Sequence, residues 1–311
     1  MIGNEFYRTG GTPQLGVSPL SWINEVLHDL GEGTTAEQCL SEAAKAGFTG
    51  VELSRIFPRN ATDLKALLGK HHLQLISGWH DGFLTERDVE AELEAVHAHA
   101  SLLRDCGAKV MVYGECGWMT ENALDVPLSA RKIFPPEQMK AYADRLTRFA
   151  DALYSEYGLR LAYHHHLMMV AETLDEVRSL ITSCGASVGL LLDTGHATAA
   201  GFDYSVLLNE FGSRIGHIHL KDVRAEMLQR VRAEGISFNN AVRAGLFTVP
   251  GDGMTDYAPL ADFIASAGYC GWLVVEAEQD PAVALPAETV SRARQFVSAN
   301  ILNIAQKEAS V

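Results

Sequence analysis

The 311-residue chain contains nothing approaching the roughly 18 to 20 consecutive apolar residues that a bilayer crossing needs. Its opening segment, Met1 to Thr12, is polar and glycine-rich rather than basic and then apolar, so it does not read as a secretory signal. Cysteine is sparse: Cys39, Cys106, Cys116, Cys184 and Cys270 are five scattered residues without a Cys-x-x-Cys pair. An odd, dispersed set suggests neither a disulfide framework nor a thiolate zinc site, and reduced, mostly structural thiols are expected. Together these features predict a cytoplasmic protein that does not contact a membrane.

Positive charge is also in short supply. Lys and Arg number 25 against 39 Asp and Glu, leaving a formal charge of −14. The densest basic group, Arg224, Arg230, Arg232 and Arg243, is interrupted by Glu226 and Glu234. Binding a duplex needs several cations facing phosphates, so no nucleic acid partner is expected. No Gly-x-Gly-x-x-Gly follows the first strand-like run, which argues against an open dinucleotide-binding sheet. No linker rich in Pro, Ser or charge divides the chain, which reads as one domain over residues 1–311; a homo-oligomer is compatible with the sequence.

What is present is apolar material, 47% of the residues, enough for a sizeable core. It is arranged as short β-branched and apolar runs alternating with longer segments of helical spacing. The runs are Leu15–Val17, Gly50–Leu53, Leu73–Ser77, Lys109–Tyr113, Leu159–Tyr163, Val188–Leu192, Ile215–Leu220 and Trp272–Val275. The helical segments lie near Thr35–Ala46, Thr62–His71, Glu86–Cys106, Pro136–Tyr157, Thr173–Ser183, Tyr204–Phe211, Tyr257–Ala267 and Ala287–Ala305. Gly107, Gly158, Gly185 and Gly268 stand where a left-handed residue would end a helix. Eight such units predict an α/β fold, a (β/α)8 TIM barrel, for which about 250 residues is typical. Val223–Thr255, after the seventh strand, reads as one long irregular loop, a length usually reserved for function.

Barrel active sites are assembled at the C-terminal ends of strands. There the sequence places Glu52, then Trp79 and His80, then Glu115, then Tyr163-His164-His165-His166, Asp193-Thr194-Gly195-His196, His217-Ile218-His219-Leu220-Lys221-Asp222, and Glu276-Ala277-Glu278. Residues two apart on a strand face the same way, so His164 pairs with His166, His217 with His219, and Glu276 with Glu278. A lone His or Asp at a strand end is most often a hydrogen-bonded cap. Four consecutive strands ending in His, Asp, His and Glu are not readily explained so, because burying these groups together is costly without a compensating ion. A mixed imidazole and carboxylate set suits Mn²⁺, Co²⁺, Fe²⁺ or Zn²⁺ better than Ca²⁺.

These strand ends resemble the sugar-phosphate isomerase/epimerase and endonuclease IV barrel superfamily, and within it the myo-inosose-2 dehydratase family. The resemblance rests on Gly-Val-Ser-Pro-Leu-Ser-Trp at 16–22, Ala-Gly-Phe-Thr-Gly-Val-Glu-Leu at 46–53, Tyr-His-His-His at 163–166, Leu-Leu-Asp-Thr-Gly-His at 191–196, His-Ile-His-Leu-Lys-Asp-Val-Arg at 217–224, Phe-Thr-Val-Pro-Gly-Asp-Gly at 247–253, and Gly-Trp-Leu-Val-Val-Glu-Ala-Glu-Gln-Asp-Pro at 271–281. It implies a metal held by Asp193, His219 and Glu276, with Glu278 as the alternative last ligand. At strand five the superfamily has Glu where this chain has His164, which leaves His164 and His166 open as the fourth ligand. The resemblance also implies a small polyol-ketone substrate, 2-keto-myo-inositol, losing water with Mn²⁺ or Co²⁺ as the expected ion. Lys221, His196, Glu52 and His166 are the candidate acid–base residues, and Trp22, His80, Glu115, Asp252 and Glu278 the candidate substrate contacts. A ketose isomerase or epimerase would share the metal and the enolate, and an endonuclease IV-like phosphodiesterase would share the ligand set.

Overall fold

The computed structural model describes residues 11–303. The first ten residues, read above as lacking a signal, and the end of the last helical segment lie outside the described residues. The strands are β1 (Gln14–Val17), β2 (Gly50–Glu52), β3 (Gln74–Ser77), β4 (Trp79–Gly82), β5 (Val110–Glu115), β6 (Arg160–His164), β7 (Val188–Asp193), β8 (Ile215–Leu220), β9 (Asp222–Val223), β10 (Phe247–Thr248) and β11 (Trp272–Val275). The helices are α1 (Ala36–Lys45), α2 (Ala61–Lys70), α3 (Val89–Asp105), α4 (Met139–Tyr157), α5 (Leu174–Ser183), α6 (Thr194–Ala200), α7 (Ser205–Phe211), α8 (Ala225–Glu234), α9 (Phe238–Arg243), α10 (Ala258–Ala267) and α11 (Pro286–Val297).

The main sheet runs β3-β2-β1-β11-β8-β7-β6-β5-β4, and each neighbouring pair is parallel. Its two edges are consecutive in the chain, separated only by Gly78. Leu53 donates its amide to Ser77 on one side and Val112 to the Gly78 carbonyl on the other, at 2.9 and 3.0 Å. The third barrel strand is therefore one extended stretch broken at Gly78, and it closes eight strand positions into the expected barrel.

Strand alternation sorts the side chains. Met111, Tyr113, Leu161, Tyr163, Leu190 and Leu192 point outward into one core with helix residues such as Leu146, Phe149, Leu153 and Leu180. Val112, Ala162 and Leu191 point inward and pack with Val110 as a separate interior cluster. On the adjacent strands β1 and β2, Gly16 and Gly50 are register partners, and a Cβ on either would meet Ile76 at 2.4 Å. The two glycines thus make room for Ile76 and the Trp272 ring, which fill the floor of the barrel beneath the polar layer.

Local signals account for most helix ends. The α5 N-terminus has the reciprocal bonds of a capping box, Thr173 to the Glu176 amide and Glu176 to the Thr173 amide. Gly107, Gly158 and Gly268 adopt positive φ as expected. Gly185 does not; it is small because a Cβ there would lie 2.5 Å from Thr147.

Two readings of the sequence change. The segment expected to be an irregular loop, 223–255, is ordered: β9 and β10 form an antiparallel ribbon, α8 and α9 follow its turns, and Val223, Leu228, Val231, Phe238, Val242 and Phe247 share a core of their own with Leu167 and Met168. The helical spacing was short and broken by Gly235 and Gly245, so it did not register as periodic. This unit caps the barrel mouth and is tied to the β1–α1 connection by a paired Arg243–Asp29 contact at 2.6 and 2.7 Å. The second change is α6, a short helix that begins immediately after β7.

Replacing Gly50 by Ala should lower the unfolding free energy by about 1–3 kcal/mol, because Ile76 and Trp272 must shift. Gly69→Ala, within α2 where nothing lies within 4 Å of the added methyl, should raise it by about 0.5–1 kcal/mol. Urea unfolding midpoints measure both, and equal signs would contradict the interior packing described here.

Candidate metal centre and active-site cavity

The C-terminal ends of β6, β7, β8 and β11 bring His164, Asp193, His219 and Glu276 together, buried, with one ligand atom from each lying within 4.8 Å of all the others. His164 Nε2 is 3.4 Å and His219 Nδ1 3.6 Å from Asp193 Oδ2, and His219 Nδ1 is 3.2 Å from Glu276 Oε2. Despite this proximity, Asp193 Oδ2 and His219 Nδ1 are buried without a hydrogen-bond partner. Ligands about 2.0–2.1 Å from a tetrahedral ion stand about 3.3–3.4 Å from one another, so the atoms have the spacing of a coordination shell.

Each ligand is aimed by its other atom. Asp193 caps α6, its Oδ1 accepting the His196 amide at 2.8 Å, which leaves Oδ2 facing the cluster. His219 Nε2 lies 3.1 Å from Glu52 Oε1; with the imidazole donating there, Nδ1 is the atom a cation would take in place of a proton, the usual way a carboxylate sets a ligating histidine. Glu52 is itself held by Ser77 Oγ at 2.6 Å and His217 Nε2 at 3.0 Å.

The charges are unbalanced. Glu52, Asp193, Glu276 and Glu278 are buried with Lys221 as the neighbouring ammonium. Burial works against ionisation, yet His219 and Lys221 hold Glu276 down at about 2. Lys221 and the surrounding imidazoles likewise keep Asp193 well below the carboxylate range, and His219 and His217 do so for Glu52. Burial also opposes a charged His219, but Glu276 and Glu52 raise its pKa well above the usual value. The centre therefore attracts positive charge at the point where His219 Nδ1, Asp193 Oδ2 and Glu276 Oε2 converge, and its mixed donors fit a divalent cation.

A second group adjoins it. His166, His196 and Glu278 also converge within 4.8 Å, and Lys221 Nζ bridges the two groups, lying 2.6 Å from Glu276 Oε1, 3.1 Å from Glu278 Oε2 and 3.0 Å from His196 Nε2. Burial opposes the charge on Lys221, but Asp193, Glu276 and Glu278 raise its pKa, so it stays an ammonium. Burial, reinforced by neighbouring imidazole and Lys221, keeps His166 and His196 neutral. Burial raises the Glu278 carboxyl. His166, Glu278 and Lys221, with Glu52, His164, His219 and Glu276, line a cavity of about 390 Å³ that also touches Trp79, Met169 and Phe238; His196, buried beside Lys221, is not part of that lining.

The geometry separates residues that strand alternation left open. His164, not His166, joins Asp193 and His219, and Glu276, not Glu278, completes that set. Four expected substrate contacts stand elsewhere. Trp22 is fully buried, with its indole N–H donated to Glu42 at 2.6 Å. His80 turns into the helix layer, 2.7 Å from Glu92. Glu115 accepts from Tyr113, Thr85 and the Gly117 amide, and burial pushes it up to about 7. Asp252 pairs with Arg224 and Thr248 at 2.8 and 2.7 Å; the turn it belongs to folds around Asp222, which accepts the Gly251 and Gly253 amides. None of the four lines the cavity. Trp79 does, its indole anchored to Asp81 at 2.6 Å and laid over Gly114, where a Cβ would meet the ring at 2.1 Å. Asp81, Met169 and Phe238 were not singled out from sequence; only the strand break at Gly78 and the folded cap bring them to the mouth.

The fold is a (β/α)8 barrel whose rim carries a cluster that could hold a metal ion, and the model of the xylose isomerase-like TIM barrel family matches residues 40–298. The chain belongs to that family. It is 42% identical over 286 residues to the inosose dehydratase of Geobacillus thermodenitrificans, covering 91% of this chain and 96% of that one. It is 43% identical over 273 residues to the rhizopine catabolism protein MocC of Rhizobium meliloti, covering 88% and 84%. Among solved structures, an L-ribulose 3-epimerase superposes with a TM-score of 0.67 at 16% identity, covering 96% of this chain and 97% of that one. The IolI protein with a bound zinc atom superposes with a TM-score of 0.65 at 18% identity, covering 96% and 100%. At such identities the likeness is one of fold. Among the described residues, no helix is long and apolar enough to cross a membrane.

Asp193→Asn and His219→Ala should each abolish tight Mn²⁺ binding while leaving the circular dichroism spectrum unchanged. Glu52→Gln should weaken Mn²⁺ by about 10–100-fold through loss of the imidazole's orientation. Isothermal titration measures all three, and wild-type affinity in Asp193→Asn would remove the proposed centre.

Proposed function

We propose that this chain is a cytoplasmic, metal-dependent hydro-lyase that dehydrates 2-keto-myo-inositol (scyllo-inosose) to a trihydroxycyclohexane-dione. The observation that carries this reading is that the metal-type cluster and a separate acid–base set share one cavity, with Lys221 between them. The relative named inosose dehydratase, alike over nearly its whole length, supports the substrate.

Eliminating water from a ketone requires removal of an α-proton whose pKa lies far above that of any side chain, and departure of a β-hydroxyl. His164, Asp193, His219 and Glu276 would hold a divalent ion, which when bound would supply Lewis acidity toward an enolate oxygen. Mn²⁺ and Co²⁺ fit the two-imidazole, two-carboxylate donors, as do Zn²⁺ and Fe²⁺. The protein's own groups do the rest. Glu52 keeps His219 in the tautomer that presents Nδ1. Lys221, fixed as an ammonium by three carboxylates, adds a preorganised positive charge beside the developing oxyanion. Neutral His166, on the cavity wall, accepts the α-proton or a substrate hydroxyl, and His196, 3.0 Å from Lys221, helps to seat that ammonium. Glu278, on the cavity wall and raised by burial against the pull of Lys221, is the carboxyl placed to pass a proton to the leaving hydroxyl. Trp79, Met169 and Phe238 supply apolar walls that hold the ring and limit water.

Purified protein with Mn²⁺ or Co²⁺ should convert scyllo-inosose to a product absorbing in the ultraviolet, and chelation should stop it. Lys221→Met should lower kcat by about 10²–10⁴-fold. Exchange of the substrate's α-proton with solvent and no gain in absorbance would instead assign an isomerase or epimerase.

A further inference from the structure

The turn after β6 is strained beside the cavity. Met168 has a φ of 69°, the left-handed region that is unfavourable for a side chain of this size. The residues on either side of it serve the site. His166 donates Nδ1–H to the Leu167 carbonyl at 2.7 Å, and the Leu167 amide donates to His196 Nδ1 at 3.3 Å. The two imidazole rings lie 3.8 Å apart, and Met169 lines the cavity. The conformation of this turn therefore sets the direction of both rings.

One side chain holds the strained residue. The Met168 amide donates to Glu172 Oε2 at 2.6 Å, and Glu172 Oε1 lies 3.2 Å from Arg131 Nε. Arg131 also binds Glu176 at 2.6 Å. It comes from the segment after β5, which sends Met119 and Leu124 to the same cavity. The arginine is only 10% exposed and the Glu172 side chain 14%, so the pair is shielded from solvent and its geometry is fixed. Capping α5 does not explain it, because Thr173 and Glu176 already complete that cap. Glu172 is left with one backbone task, the Met168 amide.

Resting on the function proposed above, we infer that Arg131 and Glu172 are positioning residues: by holding Met168 in its left-handed turn they keep His166 aimed into the cavity and His196 seated between His166 and Lys221. They touch neither substrate nor metal ligands, so their loss should change turnover rather than metal affinity.

The test uses the full-length protein as Glu172→Ala, Glu172→Gln, Arg131→Gln and Glu172→Ala combined with Met168→Gly. Four quantities are read: amide hydrogen exchange at Leu167 and Met168, Mn²⁺ affinity, KM and kcat for scyllo-inosose. Glu172→Ala should accelerate exchange at both amides at least about tenfold and lower kcat about 10–100-fold, as small misplacements of reacting groups do. Mn²⁺ affinity and KM should stay within about threefold. Glu172→Gln keeps an acceptor for Met168 and should fall between, and Met168→Gly should restore much of the lost kcat because glycine takes positive φ without strain. Should Glu172→Ala fail to fold, Arg131→Gln reads the same quantities with the Glu172 bond left in place but unanchored, and should shift them in the same direction. Unchanged exchange at Leu167 and Met168 overturns the inference, as does faster exchange with wild-type kcat, or a kcat loss matched by loss of Mn²⁺ affinity. If the wild-type protein does not dehydrate scyllo-inosose, the proposed function fails, while exchange at Leu167, whose amide bonds His196, still decides whether Glu172 holds the turn.

Discussion

Four carboxylates buried at the mouth of the barrel with one lysine among them form the constraint on which the rest of the molecule depends. Such a concentration of like charge is unfavourable in a low-dielectric interior unless cations and donors are supplied from several sides. Lys221 from the end of β8 reaches Glu276 and Glu278, His217 and His219 both donate to Glu52, and the start of α6 donates to Asp193. What remains after these contacts is a small set of lone pairs without hydrogen bonds, and they converge. That convergence is what makes the centre able to hold a cation.

The barrel below and the cap above serve this layer in different ways. Below, Trp272 and Ile76 fill the interior because Gly16 and Gly50 lack side chains, and this apolar floor underlies the carboxylates. Above, the 222–255 unit carries Phe238 to the cavity and packs against the Met168 turn, so the residues around the substrate space belong to a second small core. Asp222 and Lys221 divide the work at adjacent positions. The lysine faces inward to the carboxylates, and Asp222 faces the other way and gathers the amides of the Gly251–Gly253 turn. Alternation along one strand thus couples the charge balance of the centre to the fold of its cap.

Much of this was legible in the sequence because it depends on local period. Apolar runs such as Val188–Leu192 and Ile215–Leu220 mark strands buried on both faces, and the residues that end them mark the rim. Alternation named the pairs His164/His166 and Glu276/Glu278 without choosing within them, because both members point inward and only their depth differs. Trp22 and Asp252 stand outside the cavity lining because their partners, Glu42 and Arg224, are brought to them by packing that no spacing announces, and Glu115 does so because Tyr113, Thr85 and the Gly117 amide engage its carboxylate. The cap reads as a loop in the sequence because its helices are short and bounded by Gly235 and Gly245.

By itself, then, the sequence determined the alternation of strand and helix, the closed barrel, and the ring of imidazoles and carboxylates at one end, since these follow from side-chain period and from where strands stop. Tertiary structure alone decided which atoms of that ring converge. Coordination, tautomer choice and charge compensation act over a few ångströms between residues more than a hundred positions apart, as between Glu52 and His219, and that distance exists only after the sheet has closed.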